Sequence, residues 1–118
     1  MLRLSNAALR HIADYFKVLS EPSRLQVLCV LKDGSKNVTE IMAATGLGQA
    51  NVSKHLKILA QAALVKRHPQ GVTVYYEIAD PIIFELCELA CRSLEYRLRQ
   101  QSQYLGQLSD NFISDDFS

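Results

Sequence analysis

The 118-residue sequence has no apolar run near the roughly 18 residues that a membrane span requires. Met1-Leu2-Arg3 leads into an amphipathic pattern rather than a signal peptide, which predicts a cytoplasmic chain with no membrane partner. Cysteine is scarce: Cys29, Cys87 and Cys91 make an odd count that argues against a disulfide framework. Ser, His and Asp are present without a nucleophile motif, a Gly-rich phosphate loop or metal-hydrolase spacing, so no catalytic residues are expected. The most informative absence is negative charge. Residues 41–76 contain no Asp or Glu, yet they hold Lys54, Lys57, Lys66 and Arg67. A net charge of +1 therefore hides a basic segment. The balancing acids gather in residues 110–118, at Asp110, Asp115 and Asp116. A chain of this length holds one core. The expected division is one domain over residues 1–105 and an acidic, disordered, solvating tail over 106–118.

Periodicity supplies the elements. Ser5 caps a first helix in which Leu9, Ile12, Ala13, Phe16 and Leu19 recur on one face. Ser20 is placed to cap the next, over residues 21–32, with Pro22 in its first turn. That segment is apolar nearly all round, at Leu25, Val27, Leu28, Cys29, Val30 and Leu31, so it reads as a buried helix. A short helix over 39–45 stops at Gly46, and Gly46-Leu47-Gly48 turns into a helix that starts at Gln49. Strands over 64–68 and 72–79 flank a tip at Pro69-Gln70-Gly71. Asp80-Pro81 then opens a last helix that runs to about residue 103. The predicted fold is mainly α with a small β-hairpin (α+β). It is a winged helix-turn-helix, in the order of four helices, two strands and a fifth helix.

The second helix of such a pair is the common reader of the DNA major groove. At 100° per residue, Val52, Leu56, Leu59 and Ala63 share one face, which is the core side. Ala50, Lys54, Lys57 and Gln61 lie opposite, with Asn51 and Ser53 at the margins and Gln49 in the first turn. Lys and Gln suit phosphates or base edges, and Ala50 allows close approach to a thymine methyl. The bland alternative is a solvated helix face. His55 falls between the core stripe and the margin and reads as a hydrogen-bonded packing residue. Lys66, Arg67, His68 and Gln70 lie on the hairpin, within reach of a minor groove or its phosphates. A hairpin's outer face is usually polar, so this second set is the weaker signal.

The last helix is longer than one small domain needs. Glu85, Glu88, Arg92, Glu95 and Arg99 form a polar stripe, with Glu88→Arg92 and Glu95→Arg99 oriented to support it. Ile83, Leu86, Cys87, Ala90, Cys91, Leu94 and Leu98 make a broad apolar face. That face predicts a homodimer through the first and last helices, which would set two reading helices one turn of duplex apart.

Three blocks together resemble the ArsR/SmtB family of bacterial winged-helix repressors. They are Leu19-Ser20-Glu21-Pro22-Ser23-Arg24-Leu25 with Val27-Leu28, Val52-Ser53-Lys54-His55-Leu56-Lys57-Ile58-Leu59, and Leu64-Val65-Lys66-Arg67 continuing through Gly71 and 74–81. The likeness spans roughly residues 8–100. It implies a homodimer on operator DNA, joined through the first and last helices and released by an inducer. Two of the family's metal sites are missing. Its thiolate pair at the start of the helix-turn-helix falls on Asn37 and Thr39. Its Asp-x-His with a later His pair falls on Asp80, Ile82, Ser93 and Tyr96, of which only Asp80 matches.

Cys87 and Cys91 stand four residues apart on one helix, with Cβ atoms about 5–6 Å apart, too far for an unstrained disulfide. Two such thiolates can grip arsenite or another thiophilic ion if a third ligand joins, and Cys29 is the candidate. In thiol-sensing relatives a cysteine stands at the place of Cys29 and pairs with one later than Cys91. Three readings of the cysteines stay open: packing, thiol or persulfide sensing, and soft-metal binding. The function expected is a dimeric, inducer-released DNA-binding repressor. The alternatives are a constitutive DNA-binding regulator and a winged-helix module that binds protein.

Overall fold

The computed structural model describes residues 3–101. The acidic tail expected over 106–118 lies outside the described residues. The chain divides after Ala79 into two compact units, Met1–Ala79 and Asp80–Ser118.

The first unit holds helices α1 (Asn6–Val18), α2 (Pro22–Leu31), α3 (Val38–Thr45) and α4 (Gln49–Gln61), and strands β1 (Lys36–Asn37), β2 (Val65–Gln70) and β3 (Thr73–Ile78). The Ser5 hydroxyl accepts from the Ala8 amide at 3.1 Å, so α1 starts where the sequence predicts. Ser20 behaves differently. Its hydroxyl donates back to the Lys17 carbonyl at 2.7 Å, so it closes α1 instead of opening α2. Glu21 takes the cap position of α2 without a side-chain hydrogen bond, and Pro22 enters the first turn as expected.

The core gathers Val27, Leu28 and Leu31 from α2, Ile41 from α3, and Val52, Leu56 and Leu59 from α4, with Leu64 and Val65 at the start of the hairpin. None of these is more than 4 % exposed. Ala63, expected on the core face of α4, lies beyond the helix end. It is exposed and adopts a left-handed φ of 61° as the chain swings into the wing.

The wing is a three-stranded antiparallel sheet in the order β1-β3-β2, not a bare hairpin. β1 pairs Lys36 with Tyr76 and Asn37 with Tyr75. Two residues are too few to show strand alternation, so nothing in the sequence announced it. The tip also shifts. Gln70 pairs with Thr73, leaving Gly71-Val72 as a two-residue turn with Gly71 at φ 63°. Only the first central residue has positive φ, as a type II′ hairpin with Gly at that position requires. Pro69 remains in β2 because that strand is an edge, where a missing N–H costs no ladder bond.

The second unit is α5 (Ile82–Gln101) with its lead-in. Asp80 accepts from the Ile82 amide at 3.1 Å, so it serves as a helix cap. Of the two expected i,i+4 pairs, Glu95–Arg99 forms, while Glu88 and Arg92 make no ion pair among the described residues. Ile83 is fully buried, and Ile82, Leu89, Leu94 and Tyr96 are exposed.

Leu56 lies at the centre of the first unit's core. Leu56→Ala is expected to lower unfolding free energy by about 2–5 kcal/mol through the cavity it leaves, read as a lower urea midpoint at unchanged slope.

Candidate nucleic-acid interface

The first helix of the helix-turn-helix, α3, is locally determined at both of its ends. Asn37 accepts from the Glu40 amide at 2.8 Å, while Glu40 accepts from the Asn37 amide at 2.9 Å, a complete capping box. At the other end Gly46 takes φ 77°, which a side chain would strain. The Thr45 hydroxyl donates to the Ile41 carbonyl at 2.8 Å and accepts from the Leu47 amide at 3.2 Å, so one side chain shapes the exit from α3. Gly48 begins α4 with no side-chain cap, leaving the first amides of α4 without a side-chain acceptor.

Burial of Val52, Leu56 and Leu59 sets the rotation of α4. Gln49, Ala50, Asn51, Ser53, Lys54, Lys57 and Gln61 are all exposed as a result. These are the seven helix positions that the sequence nominated, and the structure brings them to one surface. His55 is 3 % exposed, so the packing role expected for it holds. Its Nδ1 accepts from Arg24 Nε at 3.4 Å, and Arg24 Nη1 donates to the Val18 carbonyl at 2.8 Å. Arg24 thus ties α2 to α4 and to the end of α1. Sequence reasoning used Arg24 only as part of a family block, because no periodicity marks a residue that bridges three helices.

Strand pairing separates the four wing residues. Arg67 lies opposite Tyr76, on the face that also carries Val65 and Ile78. Arg67 and Tyr76 join Ser53, Lys57 and Gln61 around a groove of about 440 Å³, floored by Leu56 and Ala60. Lys36 shares this sheet face through its pairing with Tyr76, a placement the sequence could not reveal without β1. Lys66, His68 and Gln70 occupy the other face, opposite Glu77, Tyr75 and Thr73. His68 Nε2 is 3.4 Å from the Ser35 hydroxyl and 3.9 Å from Glu77. Glu77 lies one residue beyond the acid-free window, yet pairing folds it back against Lys66. The outer wing face is therefore less basic than the linear sequence implies, and the face toward α4 keeps its charge.

Among the described residues no group of three or more His, Cys, Asp or Glu that could hold a metal ion is found, so the expected metal role of Cys87 and Cys91 gains no support. All three cysteines are half-buried thiols outside any disulfide. Burial pushes the Cys29 thiol above its ordinary pKa, against the opposing pull of Lys32, which disfavours a thiolate there. Asn37 and Asp80, two positions of the missing family metal sites, are occupied by helix capping.

A buried-core helix-turn-helix with a basic outer helix and a β-wing defines a winged-helix regulator. Residues 21–67 match the family model for bacterial regulatory proteins of the arsR family. The HTH-type transcriptional regulator Rv0081 of Mycobacterium tuberculosis is 34% identical over 97 residues, covering 81% of this chain and 85% of the relative. The crystal structure of Rv0081 superposes with a TM-score of 0.73 at 31% identity, over 82% of this chain and 98% of that one. A homodimeric winged helix-turn-helix DNA-binding domain, Mb0332 of Mycobacterium bovis, gives a TM-score of 0.69 at 29% identity, covering 87% and 98% of the two chains. The antimony-specific transcriptional repressor AntR gives 0.71 at 29% identity, covering 86% and 91%. The chain belongs to the ArsR family of bacterial regulatory proteins.

His55 makes stability depend on pH. Burial, then Lys54 and Arg24, lower its pKa below 6.5, with Glu21 opposing. The unfolded chain therefore binds more protons than the native one as pH falls, and stability declines progressively below about pH 6.5. The urea midpoint is expected to fall between about pH 7 and pH 5.5, and His55→Gln to remove much of that fall.

Proposed function

We infer that this protein is a dimeric transcriptional repressor that binds operator DNA and is released by an inducer. Residues 1–105 serve both DNA binding and dimerisation. The observation that carries the reading is the single surface formed by α4 and the inner wing face, where Lys54, Lys57 and Arg67 flank exposed Gln49, Ala50, Asn51, Ser53 and Gln61. Lys54, Lys57 and Arg67 meet phosphates, and Gln49, Ala50, Asn51 and Gln61 stand where base edges would lie. Amides at the uncapped start of α4 offer a further phosphate contact. Lys66, His68 and Gln70 approach from the outer wing face, with Glu77 moderating their charge.

The test uses a short duplex selected by this protein from a random pool. Affinity is expected to fall steeply with salt, and Lys54→Ala with Lys57→Ala should reduce the log–log salt slope by up to about 2. Unchanged affinity and slope would remove the centre of the proposal and favour a module that binds protein.

Dimerisation is supported by apolar stripes left uncovered in one chain. On α1, Leu9 and Phe16 are about half exposed, at 48% and 52%, with Ile12 beside them, and α1 contributes no buried residue. On α5, Ile82, Leu89 and Tyr96 recur at seven-residue spacing, a stripe additional to the one read from the sequence. A second copy covering both helices removes these side chains from water. Phe16→Glu is expected to convert the dimer to monomer in sedimentation velocity; a dimer of unchanged stability would exclude α1 from the interface.

For the inducer, Cys87 and Cys91 are the sensing pair we favour, since their thiols emerge together from α5 while burial keeps Cys29 protonated. An arsenite or soft-metal inducer would need a third ligand besides these two thiols. Replacing Cys87 and Cys91 by Ser should abolish release of the duplex by persulfide or arsenite. Release that persists in the double variant assigns the cysteines to packing.

A further inference from the structure

Arg24 and His55 lie away from the face that would meet DNA, yet they connect the reading helix to two others. His55 is almost fully enclosed on the α2 side of α4. It accepts through Nδ1 from Arg24, whose other arm holds the Val18 carbonyl at the end of α1. An Nδ1 that accepts belongs to a neutral imidazole carrying its proton on Nε2.

We propose that Arg24 and His55 are positioning residues for DNA recognition, holding α4 in its DNA-reading orientation only while His55 is neutral. The proposal rests on the DNA-binding reading of α4. A proton added to Nδ1 turns the acceptor into a donor aimed at a guanidinium 3.4 Å away. Two cations then share an enclosed site, and Arg24 loses its partner on α4. The charges acting on His55 are Arg24 and Glu21 at the start of α2 and Lys54 on its own helix; α1, α3 and the wing add none among the described residues. Glu21 alone opposes the two cations. Proton uptake therefore favours a state in which α4 has shifted far enough for His55 to reach water. No DNA contact changes in that step; the fraction of chains competent to bind falls.

The sign of the effect is diagnostic. Protonating a solvent-exposed histidine on a DNA-binding protein adds positive charge and raises affinity for a polyanion. Protonating His55 lowers it. With the shifted state titrating at the ordinary 6.5, affinity at about pH 5.5 falls relative to neutral pH by at most about tenfold, the more so the more of the shifted state exists at neutral pH.

The experiment measures affinity of the full chain for the selected duplex at about pH 7.5 and about pH 5.5, with helix content followed by circular dichroism. The wild-type chain is expected to lose affinity at the lower pH, by up to about tenfold, with helix content retained. His55→Gln keeps an acceptor for Arg24 and takes up no proton, so its affinity should hold or rise on acidification. In the wild-type chain without DNA, hydrogen-exchange protection should fall on acidification in α4 more than in α3. Equal pH dependence in wild type and His55→Gln would overturn the proposal. So would an acid loss that only tracks loss of helix content, or equal loss of protection in α3 and α4. Failure of the wild-type chain to bind any duplex at about pH 7.5 would instead sink the DNA-binding reading on which this one stands.

Discussion

The rotation of α4 about its own axis is the constraint on which the rest depends. Val52, Leu56 and Leu59 are completely withdrawn from water, so the helix has one orientation in the core. Each of these side chains is worth about 1.5–3 kcal/mol when buried, far more than any exposed contact on the other side. Rotating α4 to hide Lys54 or Lys57 would expose that stripe and bury charge. The polar face is thus presented to solvent by the packing opposite it. The turn at Gly46, the Thr45 hydroxyl and the Arg24–His55 link then fix where that face sits against α2 and α3.

Charge is arranged around the same face by pairing within the sheet. Arg67 joins the α4 side and Lys66 the opposite one, although they are neighbours in sequence. Antiparallel pairing sets Glu77 beside Lys66 and near His68, so the two wing faces differ in charge. A protein of net charge +1 can in this way offer a local basic surface without being basic throughout.

Much of this was legible in the sequence, because the dominant signals are periodic or chemically distinctive. The apolar stripe of α4, the stop at Gly46, the Ser5 cap and the Asp80 cap each follow from a local rule, and each is present. What escaped depends on contacts between segments distant in sequence. β1 needs β3 to exist, Pro69 is tolerated only because β2 is an edge, and Glu77 matters only once paired. Ser20 was misplaced because a serine between two helices can serve either, and the Lys17 carbonyl wins it. The exposed Leu9, Phe16 and Leu89 are apolar in sequence as core residues are; only the folded chain distinguishes a stripe facing its own core from one left uncovered.

The central claim is that α4 and the inner face of the wing form one DNA-reading surface. The most direct test follows backbone amide chemical shifts of the full chain as the selected duplex is added. The account predicts the largest changes at residues 49–61 and at Arg67, with small changes on the outer wing face at Gln70 and Thr73. Changes concentrated on the outer wing face, with residues 49–61 unmoved, would contradict it.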